Sequence, residues 1–512
     1  MSDVVVVGAG PVGLWVAAEL KLNGVDVEVL EAASARDPRS RAVGMSAGTV
    51  ETLATRGIAQ RFIDAGVPIG TVHFGASSTR LQLDVLGIRH PFSLCIPQAA
   101  TESLLEDYCT QLGVPIRHGQ EVIGLDQDDE SVVLRTTDIA GFSSEFVVPW
   151  VIGCDGTRSV TRRAAGIEFP GSDGTHTGWL ADVQVEREPA GPLGCVTANG
   201  SCLMQAIGDG LYRIAGMDTA TMHLPPEHPP TLDQVRNWAV EAFGDDYGMH
   251  SPLWISRYGN ATRLADNYRK GRVLVAGDAA HQFFPAGGQG MNTGIQDATN
   301  LGWKLAATIS GDAAAGLLDT YNDERRFAAT EIIRNTNAQL ALFSARIPSE
   351  IALREVFSEA IAHPDINARW AHRVTGFADP VPIDSRYHGH ELLGTRVTHL
   401  VLDNNPDTLH TMMAANRFLL IDLETDRRRG SGDALAVAHP RLDIYRGPVE
   451  IMHPKWNNVA AVLVRPDARV AWVGPIGHSP ADLRSGVEQA MATWIADHTA
   501  TGTVDSASAA HT

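Results

Sequence analysis

The chain contains 512 residues, more than one compact core accommodates, and this length predicts roughly two to four domains. The formal net charge of -19 excludes nucleic acid and anionic membrane surfaces as main partners, because both require a basic protein surface. Beyond that exclusion, the charge says little about function.

The cysteine spacing and the N-terminal sequence indicate in which cellular compartment the protein is expected. Neither CxxC nor metal-ligand spacing occurs among the cysteines, so we expect free thiols, no metal site and a cytoplasmic protein. The five are Cys95, Cys109, Cys154, Cys195 and Cys202. The apolar N-terminus carries no Lys or Arg before Lys21, and no apolar run of roughly 18 residues occurs elsewhere. The sequence therefore predicts neither an export signal nor a membrane span.

A βαβ unit is predicted at the start of the chain, in VVVVGAGPVGLWVAAELKLNGVDVEVLE. Gly8, Gly10 and Gly13 form GxGxxG between its first strand and its helix. The first glycine permits a tight turn, the second lets backbone approach a pyrophosphate, and the third lets helix pack on strand. Glu31 ends the second strand, where a carboxylate can accept ribose hydroxyls. The motif predicts a dinucleotide site but does not distinguish FAD from NAD(P).

The following elements predict an α/β domain interrupted by a β domain. We expect a helix from about Arg41 to Ala65, a second helix in TESLLEDYCTQLG with Thr101 as N-cap, and strands in VVLRTTD and EFVVPWVIG. From about Phe169 to Thr262, short β-like pieces broken by Gly and Pro indicate an inserted, mostly β domain. The strand pattern of GRVLVAGDAA then marks a return to the first domain.

The C-terminal third begins with two predicted long helices, at about 290–310 and 319–345. The segment ADPVPIDSRYHGHELLG is typical of a linker. The strand patterns RFLLIDL and AAVLVRPDARVAWVG and the helix pattern SPADLRSGVEQAMATWIADH predict a compact α/β domain. The last dozen residues are small and polar, which predicts disorder.

Two further motifs follow apolar strands. CDGTRSVTRR contains Asp155, and GDAAHQFFPAGGQGMN contains Gly277 and Asp278. The second motif is a glycine-rich loop that runs into a predicted helix start, where free backbone N–H groups can face an electron-rich ligand.

These three motifs, in this order, resemble the FAD-dependent aromatic hydroxylases of the p-hydroxybenzoate hydroxylase fold, the single-component class A flavoprotein monooxygenases. The resemblance is dense over about residues 1–345. MHSPLWISRYGNATRLADNYRKGRVLVAGDAAH is similar to the polyketide hydroxylase and rifampicin monooxygenase-like subgroup. The C-terminal block resembles that subgroup's thioredoxin-like domain, but it has no cysteine and cannot carry dithiol chemistry, so we expect a packing or dimer role.

The resemblance implies an α/β fold class: a Rossmann-like FAD-binding domain with an inserted mostly-β substrate domain and a C-terminal thioredoxin-like domain. The implied bounds are 1–170 and 265–385 for the discontinuous FAD-binding domain, 171–264 with part of 70–100 for the substrate domain, 396–500 for the thioredoxin-like domain and 501–512 for a disordered tail.

The resemblance also implies the cofactor ligands, which are Gly8, Gly10, Gly13, Glu31, Arg41, Gln98, Asp155, Gly277, Asp278, Pro285, Gly288, Gly290, Met291 and Asn292. The GxGxxG glycines and the acidic residue hold the AMP half of FAD. Gln98 contacts the ribityl and phosphate region, Asp155 serves both FAD and NAD(P)H, and Asp278 binds the ribityl hydroxyls. Arg41, Pro285 and Gly288 position the flavin, and no protein nucleophile is required.

Several residues have a structural alternative. Arg41 could be a surface ion pair, Asp155 could cap the following helix, and His281 is more often structural than catalytic. For three arginines of the inserted domain we expect surface pairing, and for three aromatic residues a place in the core; these are Arg213, Arg257, Arg263, Trp179, Tyr212 and Trp254. The stretch DERRFAATE is interpreted as a solvated helix face. FFP departs from the family's usual polar residue followed by Pro-Pro.

The implied function is NAD(P)H- and O2-dependent insertion of one oxygen atom into a phenolic or quinonoid, polyketide-like substrate through a flavin hydroperoxide. Baeyer–Villiger oxygenation, a flavin-dependent reductase and a degenerate binding scaffold remain as alternatives. NADH and NADPH are not distinguished, and a monomer or homodimer with no nucleic-acid or membrane partner is expected.

Overall fold

The computed structural model describes residues 2–75, 77–197, 199–208, 210–377, 381, 390–414, 416–424, 435 and 437–496. Its α-helices are Pro11–Leu22, Ala47–Ala54, Ala59–Ala65, Gln98–Gln111, Val160–Ala164, Leu232–Phe243, Gln289–Ile309, Asp319–Phe343, Pro348–Ile361, Pro364–Thr375, Thr408–Met413 and Pro480–Trp494. The linker segment lies largely, and the last dozen residues wholly, outside the described residues.

A six-stranded sheet forms the first layer. In spatial order its strands are Arg269–Lys270, Val273–Val275, Trp150–Gly153, Val4–Val7, Val27–Glu31 and Ile116–His118. All neighbouring pairs are parallel except the first, which is antiparallel. The valines of the first strand are fully or almost fully buried, as expected for a parallel sheet covered on both faces. Ligands of such sheets bind at the carboxyl ends of the strands, where the glycine turns lie.

The chain also forms several antiparallel sheets, of which the largest lies in the inserted region. The largest has the order Leu193–Val196, Gly200–Gly208, Leu211–Asp218, Thr177–Gln184 and His250–Gly259. A second has the order Ser143–Val148, Val132–Asp138 and Gln120–Gln127, and a third Gly171–Ser172, Thr262–Leu264 and His281–Gln282. Smaller sheets comprise Gly44–Met45, Ser93–Cys95 and Val67–Ile69, and the pair Thr71–Val72 and Leu81–Gln82.

A separate four-stranded sheet forms the C-terminal region, in the order Leu442–Tyr445, Phe418–Asp422, Val459–Val464 and Val470–Pro475. Its first pair is parallel and the others are antiparallel. Leu400–Leu402 pairs with Val449–Ile451 beside it. The helix Pro480–Trp494 packs on this sheet, and Trp494 meets Trp303 of the first domain with ring centroids 6.3 Å apart. The region therefore docks directly on the helix Gln289–Ile309.

The helix predicted from Arg41 to Ala65 is wrong in its first part. The chain instead forms two helices, Ala47–Ala54 and Ala59–Ala65, with a turn at Gly57, where φ is 73°. Ser46 caps the first of them by accepting a hydrogen bond from the Thr49 N–H. Residues before this cap are extended rather than helical.

The predicted N-cap at Thr101 is also wrong, because the helix begins earlier, at Gln98, after Pro97. Pro-containing starts favour this register, since the ring fixes the backbone and needs no N–H partner. The helices Pro348–Ile361 and Pro364–Thr375 were not predicted.

Among the described residues, no helix has both the length and the apolar character needed to cross a membrane. All five cysteines are free, and Cys195 and Cys202 face each other on adjacent strands. No group of three His, Cys, Asp or Glu side chains within the described residues is arranged to hold a metal ion.

Candidate cofactor and substrate site

The GxGxxG turn is closely packed at its first and third glycines. Gly8 has φ of 104°, and a Cβ there would lie 2.6 Å from the Cys154 carbonyl oxygen. A Cβ on Gly13 would lie 1.9 Å from the Gly8 carbonyl oxygen. Gly10, in contrast, faces open space with nothing within 4 Å. The protein's own packing therefore requires glycine at Gly8 and Gly13. It does not require glycine at Gly10, where the missing side chain leaves room for a ligand.

Glu31 lies at the end of the second parallel strand, half-buried beside this turn. One carboxylate oxygen accepts a hydrogen bond from the Ala9 N–H at 2.7 Å, and the other accepts from the Ala33 N–H at 2.9 Å. The carboxylate thus lies against the glycine turn, and its remaining lone pairs can accept hydroxyl hydrogens.

A second glycine turn carries Asp278. Gly277 has φ of 61°, and its N–H donates to Asp297 at 3.1 Å. The Asp278 side chain is solvent-exposed, and it has no hydrogen-bond partner within the described part of the chain. Surrounding protein raises the pKa of its carboxyl, while His281 and Arg41 act in the opposite direction. An exposed carboxylate without a protein partner can accept hydrogen bonds from ligand hydroxyls.

A buried ionic cluster supports this second turn. Asp297 accepts hydrogen bonds from His281 Nε2 at 2.7 Å and from Arg325 Nε at 2.7 Å, besides the bond from Gly277. Burial alone would raise the pKa of Asp297, but Arg325 and His281 hold it below its ordinary value. Because its Nε2 is bonded to Asp297 and its ring is buried, His281 takes the structural role that was the alternative to catalysis.

The glycine-rich loop is anchored through Asn292. Its Nδ2 donates to the Gly288 carbonyl at 2.7 Å and to the Gly44 carbonyl at 3.0 Å, while its Oδ1 accepts from the Ser46 N–H at 2.8 Å. Gly288 has φ of 64° and is the N-cap of the helix Gln289–Ile309. The loop, the helix start and the segment before the helix Ala47–Ala54 are thus one connected unit.

Two glycines of this loop face free space. Nothing lies within 4 Å of a Cβ built on Gly290, and the nearest atom to one on Gly288 is 3.9 Å away. Pro285 is exposed and Met291 is buried. The chain at Gly288 and Gly290 therefore borders open space, although the Gly288 N–H itself donates to the Pro285 carbonyl at 3.2 Å. That the other N–H groups at this helix start face a ligand remains a prediction.

Arg41 and Gln98 lie near these turns. The Arg41 side chain is exposed, but its backbone carbonyl accepts a hydrogen bond from Arg213 Nη1 at 2.9 Å. Gln98 Oε1 accepts from the Ala42 N–H at 3.1 Å, and its Nε2 donates to Glu102 at 2.8 Å. Arg41 and Gln98 therefore both belong to the part of the structure around Ala42.

Arg213 contradicts the expected surface pairing. It is almost fully buried, and its guanidinium binds Asp182 through both carboxylate oxygens and also donates to the Ser40 carbonyl. Trp254 Nε1 donates to the same Asp182 at 2.7 Å. The segment that carries Arg41 is thereby fixed to the large antiparallel sheet by hydrogen bonds from Arg213 to the Ser40 and Arg41 carbonyls.

The other predictions for residues of the inserted region have mixed outcomes. Arg257 is buried and donates to the His228 carbonyl, so surface pairing is wrong for this residue too. Arg263 pairs with the exposed Asp173, as expected. Trp179 and Tyr212 lie in the core, whereas Trp254 is half-buried.

Asp155 makes local contacts. One carboxylate oxygen accepts from Ser159 Oγ at 2.5 Å and the other from the Thr161 N–H at 3.0 Å. The N-cap of the helix Val160–Ala164 is Ser159, and Asp155 assists it by accepting from a first-turn N–H, which favours the capping alternative that the sequence left open. Asp155 nevertheless lies beside the first glycine turn, because its backbone nitrogen would be 3.3 Å from a Cβ on Gly8.

An aromatic cluster lies on the other side of Pro285. Phe284, Phe343 and Met217 are buried together, with Tyr258 packed against them. Phe283 stacks on His281 with ring centroids 5.4 Å apart. The FFP sequence therefore supplies one ring to the cluster and one to the support beneath the cofactor turn.

The residues present fit FAD. Backbone is open at Gly10 of the first turn and at Gly288 and Gly290 of the glycine-rich loop, and Glu31 and the exposed Asp278 offer acceptors for the hydroxyl groups of a ligand. The sequence motifs did not identify the supporting residues Asp297 and Arg325. The polar residues along the buried helix Gln289–Ile309, which include Asp297, are a sequence signal that could have indicated buried partners.

Family models match both parts of the chain. The FAD binding domain family matches residues 1–336, and the aromatic-ring hydroxylase C-terminal family matches residues 390–497. The chain belongs to the FAD-dependent aromatic-ring monooxygenases.

The matches to individual relatives cover nearly the whole length of this chain. It is 38% identical to rifampicin monooxygenase of Streptomyces venezuelae, over 93% of this chain and 96% of the relative. It is 35% identical to anhydrotetracycline monooxygenase of Streptomyces rimosus, over 96% of this chain and 98% of the relative. The solved structure of OxyS anhydrotetracycline hydroxylase from Streptomyces rimosus matches with a TM-score of 0.81 at 34% identity, covering 96% and 99% of the two chains. The predicted fold class is confirmed.

Proposed function

We propose that this monooxygenase uses FAD, NADH or NADPH, and O2 to insert one oxygen atom into a phenolic or quinonoid, polyketide-like aromatic substrate. The carrying observation is the open backbone at Gly10, Gly288 and Gly290, together with the exposed Asp278, which has no hydrogen-bond partner among the described residues. The rifampicin and anhydrotetracycline monooxygenases among its relatives support the choice of substrate class.

The proposed FAD ligands follow from this placement. Gly10 and the neighbouring turn residues would approach the pyrophosphate, and Glu31 would accept the ribose hydroxyls of the AMP half. Asp278 would accept ribityl hydroxyls, with Gln98 and Arg41 on the facing wall. When bound, FAD supplies the redox chemistry that lets NAD(P)H reduce it and O2 be activated for oxygen transfer.

The chain's own contribution is positioning, charge stabilisation and exclusion of water. The N–H groups from Gly288 to Asn292 would stabilise negative charge near the helix start, because the helix dipole places partial positive charge there. Pro285 and the aromatic cluster would hold the aromatic substrate and keep water from its reacting carbon. Asp155, beside the first glycine turn, is proposed to contact NAD(P)H and FAD besides capping its helix.

We also propose the domain division 1–170 with 265–385, 171–264 with part of 70–100, and 396–500. The adjacent positive φ values of Gly287 and Gly288, 67° and 64°, support a loop that adjusts to transiently bound NAD(P)H.

The test uses the purified protein. Its absorption spectrum should show bound flavin, and NADH or NADPH oxidation with O2 uptake should accelerate with one member of a panel that includes anhydrotetracycline and rifampicin. A hydroxylated ring or a ring-expanded lactone in the product distinguishes hydroxylation from Baeyer–Villiger oxygenation. Substrate reduction without O2 uptake would establish the reductase alternative instead. A colourless protein that takes up no FAD would contradict the cofactor and site assignments and favour a binding scaffold.

A further inference from the structure

Unpartnered hydrogen-bond donors border the aromatic cluster of Met217, Phe284, Phe343 and Tyr258. Arg346, His73 and Thr221 each have a buried polar side-chain atom that no described residue satisfies. We propose that these three residues form a substrate subsite that selects aromatic compounds carrying an ionised oxygen, such as a phenolate or an enolate. This inference rests on the proposed function, because it assigns the substrate class of the same site.

Arg346 carries most of the argument. Its Nη1 donates to the Phe343 carbonyl at 3.0 Å and to the Ala345 carbonyl at 2.7 Å. Its Nε and Nη2 are buried and have no acceptor among the described residues. Leaving a buried charged donor unpaired is costly, so two such N–H groups on one guanidinium call for an acceptor from outside the chain.

His73 lies on the other side of Phe343. The two rings meet edge to face, with centroids 5.7 Å apart, and His73 Nδ1 is buried without a partner. Burial and the nearby Arg80 lower the pKa of His73 to about 4, so its imidazole is neutral at pH 7. A neutral imidazole can still donate one hydrogen bond to an anionic oxygen.

Thr221 extends the subsite along the large sheet. It follows Asp218, the last residue of the strand Leu211–Asp218, and its hydroxyl is buried without a partner. Burial and the nearby Arg354 lower the pKa of Arg346, while Asp218 and Glu350 act in the opposite direction. Asp218, at the end of the strand, therefore lies near Arg346.

The location suits a substrate. Phe343 meets Phe284 with ring centroids 6.2 Å apart, and Phe284 immediately precedes Pro285 of the glycine-rich loop. An aromatic ring placed against this cluster would lie between the loop and the donors.

The chemistry points to an anion. Arginine, neutral histidine and threonine can all donate here, and charge-assisted hydrogen bonds from arginine to an anionic oxygen are roughly twice as strong as neutral ones. An ether or a quinone carbonyl would offer the arginine only a neutral acceptor, which makes the weaker hydrogen bond. The subsite should therefore prefer an ionised oxygen over the same oxygen when it is alkylated.

The test compares two probes that differ only in this group: 2-hydroxy-1,4-naphthoquinone, an anion at pH 7, and its neutral 2-methoxy ether. Equilibrium dialysis against the holoenzyme measures both affinities without turnover. Wild-type protein should bind the anion at least about 10-fold more tightly, and Arg346→Gln should weaken anion binding by about 10- to 100-fold while changing ether binding less than about 3-fold. His73→Phe should produce a smaller loss with the same selectivity, and Arg346→Lys should restore part of the anion affinity.

Arg334→Gln is the matched control, because it removes one positive charge from the exposed face of the helix Asp319–Phe343. It should leave both affinities unchanged, and flavin content should be that of wild type in every variant. Equal binding of the two probes by wild type, binding of neither, or equal losses for both in Arg346→Gln and His73→Phe would overturn the inference. These outcomes are separable from failure of the proposed function, which flavin content and O2 uptake report independently.

Discussion

Two neighbouring residues, Glu324 and Arg325, belong to two different buried clusters. Arg325 binds Asp297, which holds the Gly277 turn on the cofactor side. Glu324 binds Arg465 of the C-terminal region through two hydrogen bonds of 2.8 Å. The same helix therefore supports the cofactor turn with one side chain and the junction between the two parts of the chain with the next.

The junction is a network of four buried charged side chains, which are Lys304, Glu324, Arg465 and Asp467. Arg465 also bonds Asp467, and Asn300 Nδ2 donates to both Glu324 and Asp467. Lys304 Nζ lies 3.0 Å from Glu324. On the cofactor side, Gly10 and Gly290 face free space and Asp278 lacks a protein partner among the described residues. The junction therefore contributes to the stability of the fold, whereas the cofactor side has groups that are available to bind a ligand.

The largest expected effect is at the junction. Arg465→Met should lower the free energy of unfolding by about 4–5 kcal/mol, because it leaves the Glu324 and Asp467 carboxylates buried without their main counter-charge. Urea unfolding measures the loss. Arg441→Met, which breaks the partly exposed pair with Asp312 at the same junction, should cost at most about 1 kcal/mol. Equal losses in the two variants would contradict the assignment.

The cofactor-side cluster should respond differently. Asp297→Asn should weaken FAD binding by about 100-fold, or about 3 kcal/mol, because it leaves Arg325 unpaired and frees the Gly277 turn. Fluorescence titration of the apoprotein with FAD measures the affinity. Asp319→Asn, at the exposed start of the next helix, is the control and should bind FAD as wild type does. An unchanged affinity in Asp297→Asn would remove the distinction between the two clusters.

A third prediction concerns acid stability at the junction. Burial alone would raise the pKa of Glu51, but hydrogen bonds from His410 and His90 lower it to about 2. A depressed carboxyl pKa stabilises the folded state above the unfolded value and loses that effect as the pH falls toward the folded value. Between pH 5 and pH 3 this group should cost wild type about 2 kcal/mol of unfolding free energy. In urea titrations at both pH values, Glu51→Gln should lack this component; an identical pH dependence would refute it.

The smallest expected effect is at Gly10. Because nothing lies within 4 Å of a Cβ there, Gly10→Ala should leave the melting temperature of the apoprotein nearly unchanged. It should weaken FAD binding by about 10-fold, since the new methyl group would occupy the ligand's approach. Gly13→Ala is the contrast: its Cβ would collide with the Gly8 carbonyl, and the apoprotein itself should be destabilised. Equal behaviour of the two variants would show that the open space at Gly10 is not a ligand site.

The sequence predicts the local parts of this site well. Strand, glycine turn and helix follow one another in GxGxxG, and the loop before Gln289 carries its own helix-start signal, so both turns are visible in short stretches. The proposed roles of their residues remain predictions.

The buried charges could not be predicted in this way. DERRFAATE was interpreted as a solvated face, and this is wrong for Glu324 and Arg325, each 1% exposed. Their burial depends on Arg465, 141 residues beyond Glu324, and on Asp297, 28 residues before Arg325. Long-range partners of this kind leave no local pattern. The sequence of a charged helix is the same whether its charged face is covered by another domain or exposed to water, and exposure is the usual case.

The helix predicted from Arg41 fails for a similar reason. Ser46 has its N–H bonded to Asn292, 246 residues away, and this contact keeps the preceding residues extended along the glycine-rich loop. Local helix propensity is overruled by a tertiary hydrogen bond.

The most direct test of the proposed activity is a turnover experiment under ¹⁸O2 with NADH or NADPH and the panel substrate that accelerates O2 uptake. The account predicts a product that carries a single oxygen-18 atom, formed only by flavin-containing protein. A product without the label, or hydrogen peroxide as the sole fate of O2 with every substrate, would contradict it.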